Sequence, residues 1–411
     1  MKGAFRVRNN LRTLFVREAQ GHFDSLDGLR ALSILWVIAF HLVAFLQYFD
    51  HGATLALRSR PEFMWTRLGY YGVDVFFVVS GFIIGHILMT ERRETGGLDM
   101  GRFYGRRALR LLPAYYLAML LWAAATHLNV RSAWANLLYV NNFLPMPDQF
   151  MTWTWSLAIE EQFYILFPIL LVLAARTPLR WAYFVVGLVL AAAIRVFITD
   201  HYQIQFPLVW RDDAEYHRYF DLLYDKLYTR YGALLIGIGV AYYRMSGGLA
   251  HRIWGNRAWR GSVGIVALVA LAPALISPEV TDPNIISRPY FYVLTVYYPY
   301  IFALAIAMIL MLSLRGDKKS LWRTVLGARV WVPLAQLSYS AYLIHPLVIL
   351  IGYRAIYGRH PEIGSLRVFE AGVVVTFAIF LVAALIYLLV ERPMMNLRRV
   401  SSAPATRPAT A

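Results

Sequence analysis

The chain has 411 residues, of which 59% are hydrophobic and only 16% are charged, and its mean hydropathy is +0.50. Soluble domains carry about 25% charged residues, so this composition indicates a membrane protein rather than a soluble one. The absence of cysteine excludes disulfides, metal sites with Cys ligands and a Cys acyl-enzyme.

We predict an all-α, polytopic integral membrane protein with about ten transmembrane helices, because many apolar segments are long enough to cross about 30 Å of hydrocarbon. A basic N-terminal segment, 1–25, precedes the membrane domain of 26–393, and the tail of 394–411 is predicted to be disordered. The predicted spans are roughly 26–47, 70–89, 111–127, 155–174, 181–199, 229–244, 262–277, 291–314, 334–353 and 368–390.

The distribution of basic residues predicts the orientation. If the N-terminus is cytoplasmic, the cytoplasmic segments hold 26 of the 40 Lys and Arg residues and the outer segments hold 12. Cytoplasmic loops carry the excess of positive charge, so both termini are predicted to lie inside. Anionic lipid headgroups on that side account for most of the net charge of +16, and no nucleic acid partner is needed to explain it.

The first predicted span carries Arg30 and His41 within an apolar stretch. A separation of 11 residues returns an α-helix to nearly the same face and places the two residues about 16 Å apart along its axis. An ionisable group in a bilayer costs about 2.5–3.5 kcal/mol or more. Because one face of this helix carries two such groups, we predict that Arg30 and His41 have a functional role.

The second span places Asp74 about one turn below the outer surface, at a depth similar to that of His41. An aspartate there can fix the tautomer of a histidine and stabilise its imidazolium, as in a hydrolase triad. Alternatively, Asp74 caps the N-terminus of its helix, where its charge meets the helix dipole. The sequence leaves both interpretations open.

Three arginines, Arg106, Arg107 and Arg110, precede the third span at its predicted cytoplasmic end. Arg107 and Arg110 are three residues apart, so they share a helix face. Clustered guanidinium groups suit phosphate oxygens, which they bind in pairs of hydrogen bonds. The same residues also suit a positive-inside anchor, and charge alone favours the anchor.

The fourth span opens with Trp155 and Ser156, and the adjacent carboxylates Glu160 and Glu161 follow. Adjacent residues point about 100° apart on a helix, so both glutamates cannot face one pocket equally, whereas Ser156 and Glu160 share a face. Since an apolar run follows the carboxylates, we interpret them as functional rather than as a pair facing water.

The ninth span contains Tyr339 and His345, and its hydroxyl groups are spaced to bond across helices. His345 is either a second polar site or a packing residue, and packing is slightly favoured. Glu391, where the last span ends, is predicted to pair with a basic loop. No specific role is predicted for His86, His127 and Arg195.

Together these segments resemble the membrane acyltransferase-3 family. Each motif is weak alone, but six matches in order between residues 26 and 393 make the resemblance specific. The matching residues are Arg30 and His41; the Gly-Val-x-x-Phe-Phe-x-x-Ser-Gly-Phe pattern from Gly72; Arg107 and Arg110; Trp155-Ser156-Leu157 with Glu160-Glu161-Gln162-Phe163-Tyr164; Ser338-Tyr339 with Tyr342-Leu343 and His345-Pro346; and Glu391-Arg392-Pro393.

The resemblance implies transfer of an acyl group, usually acetyl, from acyl-CoA to a hydroxyl of a glycan, a lipid-linked sugar or a small molecule. It implies a catalytic role for His41 and a contact of Arg107 and Arg110 with the phosphates of the donor. Acyl-CoA is then a co-substrate, no cofactor is bound permanently, and we expect a bacterial inner-membrane protein surrounded by membrane lipids.

The expected geometry agrees with that implication. The phosphates of CoA would stay at the cytoplasmic arginines, joined by Arg30, and the pantetheine arm would lie along the first helix. The thioester would then reach His41, our candidate general base for the acceptor hydroxyl. The acceptor would enter from the outer side past Glu160, Trp155 and the loop of 200–230.

The predicted site therefore has three parts. The catalytic candidates are His41, Asp74 and Glu160; the donor-binding candidates are Arg30, Arg106, Arg107 and Arg110; the acceptor-binding candidates are Trp155, Ser156, Glu161, Tyr339 and His345; no metal ligand is predicted.

Two other classes compete with this interpretation. A transporter or flippase also combines buried charges with a central polar path, but the two halves of the chain show no inverted repeat and the arginines lie at a surface. A lipid-binding protein without catalysis is the weakest candidate. Consumption of acyl-CoA distinguishes the enzyme from both.

Overall fold

The structure is a computed structural model that describes residues 7–17, 23–174, 180–204, 213–246, 254, 256–276, 288–314, 320–358 and 364–401. Within these ranges the chain forms helices and turns and contains no strand, so the predicted all-α class is confirmed. The α-helices are α1 (Val7–Phe15), α2 (Asp24–Phe45), α3 (His51–Arg58), α4 (Gly72–Thr95), α5 (Met100–Thr126), α6 (Ala133–Leu137), α7 (Trp155–Ala174), α8 (Arg180–His201), α9 (Asp213–Tyr219), α10 (Leu227–Ser246), α11 (Arg257–Ile276), α12 (Arg288–Val296), α13 (Tyr298–Leu314), α14 (Leu321–Leu326), α15 (Trp331–Tyr357), α16 (Ser365–Ile386) and α17 (Arg392–Ser401).

Eight helical segments among the described residues are long and apolar enough to cross a membrane, and they correspond to eight of the ten predicted spans. The sixth prediction matches α10, a helix with an arginine near each end that is not among the eight. The eighth prediction is broken at Tyr297 into α12 and the shorter apolar helix α13. Pro299, the second residue of α13, explains the break, because proline favours the first turn of a helix.

A tight connection joins α4 to α5. Helix α4 ends at Gly96, whose φ of 77° is left-handed and suits glycine. Asp99 then caps α5, because its carboxylate accepts a hydrogen bond of 2.9 Å from the backbone N–H of Arg102. The connection starts α5 at the end of the bundle and places the three predicted arginines in its first turns.

Helix α2, which carries Arg30 and His41, lies in the middle of the bundle. It packs against α4 on one side and against α15 on the other, and α4 packs most extensively against α10. A Cβ on Gly81 of α4 would overlap the carbonyl of Leu234 in α10, and one on Gly237 would overlap the carbonyl of Val78. Small residues thus let the two backbones approach closely, as membrane helices commonly do.

The N-terminal helix packs against the C-terminal part of the chain. The side-chain amide of Asn10 donates to the carbonyl of Leu388, and Asn396 of α17 donates to the Asn10 side chain at 3.0 Å. The prediction of a disordered tail over 394–411 is therefore wrong up to Ser401, where these contacts hold a helix. The rest of that tail lies outside the described residues.

Candidate functional site

His41 and His345 lie side by side in the middle of the bundle. Their ring centroids are 4.7 Å apart in an edge-to-face arrangement. Nδ1 of His41 hydrogen-bonds to the carbonyl of Val37 at 2.8 Å, one turn earlier on α2. Because a carbonyl only accepts, Nδ1 carries the proton, and Nε2 of the neutral ring keeps its lone pair. The helix itself therefore holds His41 in the form that a general base needs.

His345 repeats this arrangement on α15. Its Nδ1 donates to the carbonyl of Tyr342 at 2.8 Å, so its Nε2 is also an acceptor. The side chain is fully buried, and Nε2 has no hydrogen-bond partner. A buried polar atom without a partner is costly, so this nitrogen indicates a binding role more strongly than the packing role that the sequence favoured.

A cavity of about 650 Å³ opens at the end of the bundle where α2 ends and α4 begins, and we call it the His41 cavity. His41 lines it together with the predicted residue Trp155 and with Tyr342. Of its thirty lining residues, thirteen are aromatic, which gives flat apolar walls with a few polar groups, as ligand sites have.

Of the two interpretations that the sequence left open for Asp74, the one that pairs it with His41 is wrong, and the structure places Asp74 in the first turn of α4. The carboxylate of Asp74 instead accepts a hydrogen bond of 2.9 Å from Arg230 of α10, and both side chains are only 2% exposed. The carbonyl of Val37 takes the place beside His41 that Asp74 was predicted to occupy. The Arg230 guanidinium also lies within 5.1 Å of the ring of Tyr224 and within 5.3 Å of that of Trp155. Asp74 therefore belongs to a buried ion pair that supports the aromatic wall of the cavity.

The sequence did not predict a role for Arg230, which falls at the end of the predicted outer loop of 200–230. A usable signal was present, because Asp74 and Arg230 both lie in the first turn of helices that start at the same end of the bundle. A carboxylate buried at one depth needs a cation at that depth.

Ser156, a predicted acceptor-binding residue, joins α7 to α15 and is not among the residues that line the His41 cavity. Its hydroxyl lies 2.6 Å from the hydroxyl of Tyr342, which itself donates to the carbonyl of Trp153 at 2.5 Å. Since the tyrosine has one proton and gives it to the carbonyl, Ser156 is the donor of the other bond. Ser156 is buried, and its hydroxyl orients Tyr342 on the wall of the His41 cavity.

The two adjacent glutamates have different partners, as the helix geometry predicts. Ser80 of α4 donates to Glu160 at 2.8 Å. Glu161 instead pairs with Arg107 of α5 at 3.0 Å, and the Arg107 guanidinium stacks 3.5 Å from the ring centroid of Tyr164. Glu161, a predicted acceptor-binding residue, thus holds Arg107, one of the predicted donor-binding residues.

Arg30, Arg107 and Arg110 form a group that we call the arginine cluster. Arg30 donates to the hydroxyl of Ser338 at 2.9 Å and interacts electrostatically with Arg110. The Nε atoms of Arg107 and Arg110 are buried without a hydrogen-bond partner. Guanidinium groups that lie close together and have N–H donors without a partner form a site where an anion can bind.

Two further predicted residues, Glu391 and Tyr339, lie within electrostatic range of Arg110 in the arginine cluster, and a third, Arg106, does not join it. Glu391 accepts a hydrogen bond of 2.8 Å from Ser340 and lies within electrostatic range of Arg110. Tyr339 donates to the carbonyl of Leu111 at 2.8 Å, so it links α15 to α5. Arg106 is partly exposed, and no contact among the described residues joins it to the cluster.

Arg195 and Asp225 carry buried polar contacts that the sequence did not predict. The Arg195 guanidinium donates to the carbonyls of Thr295, Leu223 and Thr229, which ties α8, α10 and α12 together. Asp225 accepts a hydrogen bond of 2.9 Å from Gln149 of the cavity wall and pairs with Lys226 at 2.8 Å. Burial raises the pKa of Asp225 to about 7, although the Lys226 ammonium acts in the opposite direction.

A family model described as an acyltransferase domain matches residues 23–390 and covers the arginine cluster and both histidines. The chain belongs to the acyltransferase-3 family. The resemblance inferred from the six motifs is thereby confirmed, and with eight candidate spans this family member is a multi-pass membrane protein.

Curated relatives of this acyltransferase-3 protein include the peptidoglycan O-acetyltransferase OatA of Listeria monocytogenes, 32% identical over 203 residues, 43% of this chain and 29% of OatA. A Staphylococcus aureus protein named as a candidate O-acetyltransferase is 31% identical over 211 residues, 45% of this chain and 32% of that protein. YrhL of Bacillus subtilis, a candidate peptidoglycan O-acetyltransferase, is 33% identical over 199 residues, 43% of this chain and 28% of YrhL. The chain thus spans about a third of the length of these relatives. No solved structure matches it.

Proposed function

We propose that this protein is an integral O-acyltransferase of the bacterial cytoplasmic membrane. It moves an acyl group, most simply acetyl, from cytoplasmic acyl-CoA to a hydroxyl of a cell-envelope or exported glycan. The observation that carries the proposal is the hydrogen bond from Nδ1 of His41 to Val37, which leaves a basic Nε2 at the wall of a large cavity. The names of the relatives support acetyl as the group and a glycan as the acceptor.

The orientation follows from the excess of basic residues in the segments that include α1, the start of α5 and α17. The arginine cluster then faces the cytoplasm, where acyl-CoA is made, and the His41 cavity opens to the outer side. Arg30 lies about 16 Å from His41 along α2, a distance that the pantetheine arm of CoA would bridge.

At the donor end, the buried Nε atoms of Arg107 and Arg110 supply hydrogen bonds to the phosphates of CoA. Glu161 and Tyr164 hold Arg107 in place for this contact. Because Glu161 occupies part of the Arg107 guanidinium, Arg110 and Arg30 carry the larger share of phosphate binding.

At the reacting end, Nε2 of His41 takes the proton of the acceptor hydroxyl as its oxygen attacks the carbonyl carbon of the thioester. The C–S bond then breaks, and the departing CoA thiolate takes the proton back from the His41 imidazolium. The new C–O bond leaves an ester on the glycan, and all atoms and charges balance. Nε2 of His345 accepts a hydrogen bond from a second hydroxyl of the acceptor, which satisfies its lone pair.

Label transfer from radioactive acetyl-CoA into glycan, followed in inside-out membrane vesicles, tests this proposal. His41→Gln and His41→Ala should lower turnover by about 10²- to 10⁴-fold, the usual share of a general base, without loss of folded protein. His51→Gln, at an exposed histidine of α3, is the matched control and should transfer label normally. Transfer that survives in His41→Ala would sink the mechanism.

A separate result decides the class of protein. If the native, folded chain consumes no acyl-CoA with crude acceptor extract or with other acyl-CoAs, the transporter interpretation replaces the enzyme.

A further inference from the structure

The chain between α5 and α7 enters the bundle instead of crossing its surface. Helix α5 ends at Thr126 and α7 begins at Trp155, and we call the residues between them, 127–154, the re-entrant segment. The side-chain amide of Gln162, seven residues beyond the start of α7, donates to the carbonyl of Tyr139 at 2.8 Å. Seven residues correspond to about 10 Å along a helix axis. Non-helical backbone at this depth of a membrane protein is tolerated only where protein surrounds it or where it lines a cavity.

Tyr139 has a backbone conformation that residues other than glycine adopt only uncommonly. Its φ is 55°, in the left-handed region. Such a conformation costs free energy and persists where the surrounding structure imposes it. Here Gln162 holds the carbonyl, and the ring stacks on that of Tyr115 in α5, with centroids 4.5 Å apart. The fold therefore fixes the position of the Tyr139 side chain at a cost, which indicates that the side chain has a function.

The side chain of Tyr139 is buried, and its hydroxyl has no hydrogen-bond partner among the described residues. The hydroxyls of two nearby tyrosines are satisfied. Tyr115 donates to the carbonyl of Asn136 at 3.2 Å, and Tyr339 donates to a carbonyl of α5 at 2.8 Å. A buried hydroxyl without a partner is costly, and a ligand that offers an acceptor would remove that cost.

The contacts of Tyr139 place it between the arginine cluster and the two histidines. On α5, its stacking partner Tyr115 lies five residues beyond Arg110, which is about 8 Å along the axis. On α15, Tyr139 interacts electrostatically with Tyr339, which precedes His345 by six residues, or about 9 Å. In the proposed function, the pantetheine arm of CoA passes through this part of the bundle.

The pantetheine arm carries two amide groups and one hydroxyl between the phosphates of CoA and its sulfur. Within an apolar bundle, the carbonyl of each amide needs a hydrogen-bond donor from the protein. The phenol hydroxyl of a tyrosine has one proton that it can donate.

We propose that Tyr139 is a further residue that binds acyl-CoA, and that its hydroxyl donates to the carbonyl of the pantetheine amide nearer the phosphates. This inference rests on the proposed acyl transfer. It adds a contact with the arm of CoA to the contacts that the arginine cluster makes with the phosphates.

Acyl donors of different length test the inference through initial rates of label transfer. Acetyl-CoA has the phosphates and both amides, S-acetylpantetheine has both amides without phosphates, and S-acetyl-N-acetylcysteamine keeps only the amide nearer the sulfur. Tyr139→Phe should lower kcat/KM about fivefold for the first two, the usual value of a neutral hydrogen bond, and should not change it for the third. Arg110→Gln should instead lower kcat/KM for acetyl-CoA alone, because only that compound carries phosphates. An equal loss for all three compounds in Tyr139→Phe, or no loss, would overturn the inference.

Stability distinguishes this contact from a structural role. Because the hydroxyl of Tyr139 has no partner in the bundle, Tyr139→Phe should leave the unfolding midpoint of the purified chain in detergent unchanged or raise it. Tyr115→Phe removes a satisfied hydroxyl from the same stacked pair and should lower the midpoint. Tyr183→Phe, at an exposed tyrosine of α8, is the control for activity and should transfer label normally from each compound. A lowered midpoint in Tyr139→Phe would assign its hydroxyl to the fold and overturn the inference.

Calorimetric binding of CoA itself separates this inference from the proposed function. If Tyr139→Phe binds CoA about fivefold more weakly than the native chain and neither chain transfers label, the contact stands and the acyltransferase is overturned. If the native chain transfers label and Tyr139→Phe matches it in kcat/KM for acetyl-CoA, the contact is overturned and the acyltransferase stands.

Discussion

Two groups of buried polar side chains in this bundle differ in how their charge is compensated. Asp74 and Arg230 form an ion pair, although Nε of Arg230 has no hydrogen-bond partner, and Arg195 donates to three backbone carbonyls. By contrast, the like charges of Arg30 and Arg110 act on each other, and Nε of Arg110 and Nε2 of His345 are buried without a hydrogen-bond partner. Buried charges are costly unless they are paired, so we assign the first group to the stability of the fold and propose ligand binding for the second. Burial alone would not distinguish them.

The largest expected effect on stability is at Asp74. Asp74→Asn should lower the free energy of unfolding by about 3–5 kcal/mol, because it leaves Arg230 charged and buried without its partner. Denaturation of the purified chain in detergent measures the change. Glu62→Gln, in an exposed pair with Arg60, is the control and should cost less than about 1 kcal/mol. An Asp74→Asn chain of normal stability but without activity would instead return Asp74 to the catalytic group.

Substitution of Arg110 should affect donor binding rather than the stability of the fold. Arg110→Gln should raise the KM for acyl-CoA about tenfold, the value of a charge-assisted hydrogen bond, with stability unchanged. Initial rates over a range of donor concentrations measure this. Arg102→Gln, at an exposed arginine of the same helix, is the control. A loss of stability without a change in KM would give Arg110 a structural role like that of Arg230.

Two substitutions distinguish the roles of the two ring nitrogens of His345. The amide of Asn can replace Nδ1 in the bond to Tyr342, whereas the amide of Gln reaches the position of Nε2. We expect His345→Asn to fold normally and to weaken acceptor binding several-fold, and His345→Gln to keep more of the binding. Saturation curves for the acceptor in each variant provide the comparison. Equal activity of His345→Asn and the native chain would assign His345 to packing.

Asp225 should make the stability of the folded chain depend on pH. Burial raises its pKa in the folded chain to about 7, above the unfolded value of about 4, so between these values the folded state binds more protons. Stability should therefore fall as pH rises from about 4 to about 7, by at most about 1.4 kcal/mol per pH unit. Unfolding midpoints across this range should show the slope, and Asp225→Asn should reduce it. An unchanged slope in that variant would assign the pH dependence to another group.

The sequence alone determined the membrane class, the helical fold and the family, and it supplied the candidate site residues. These depend on composition, the lengths of apolar segments and the spacing of motifs, which are properties of the chain itself. The prediction that Glu160 and Glu161 have different partners also needed only the 100° step of a helix. The eighth span was predicted less accurately. Its apolar composition indicated one helix, whereas the structure has a second helix that begins at Tyr298, just before Pro299.

Only the tertiary structure decided which side chains meet. From the sequence, Asp74 could have faced His41 or met the dipole at the N-terminus of its helix. It lies in the first turn of α4 and pairs with Arg230, which is 156 residues away in sequence and beside it in space. Likewise, Ser156 supports Tyr342, Glu161 holds Arg107, and His345 contacts His41. Helix periodicity gives the direction of a side chain from its own axis, whereas the identity of its partner depends on the rotation and packing of neighbouring helices. The partners, and the nitrogens that lack them, are therefore properties of the folded bundle.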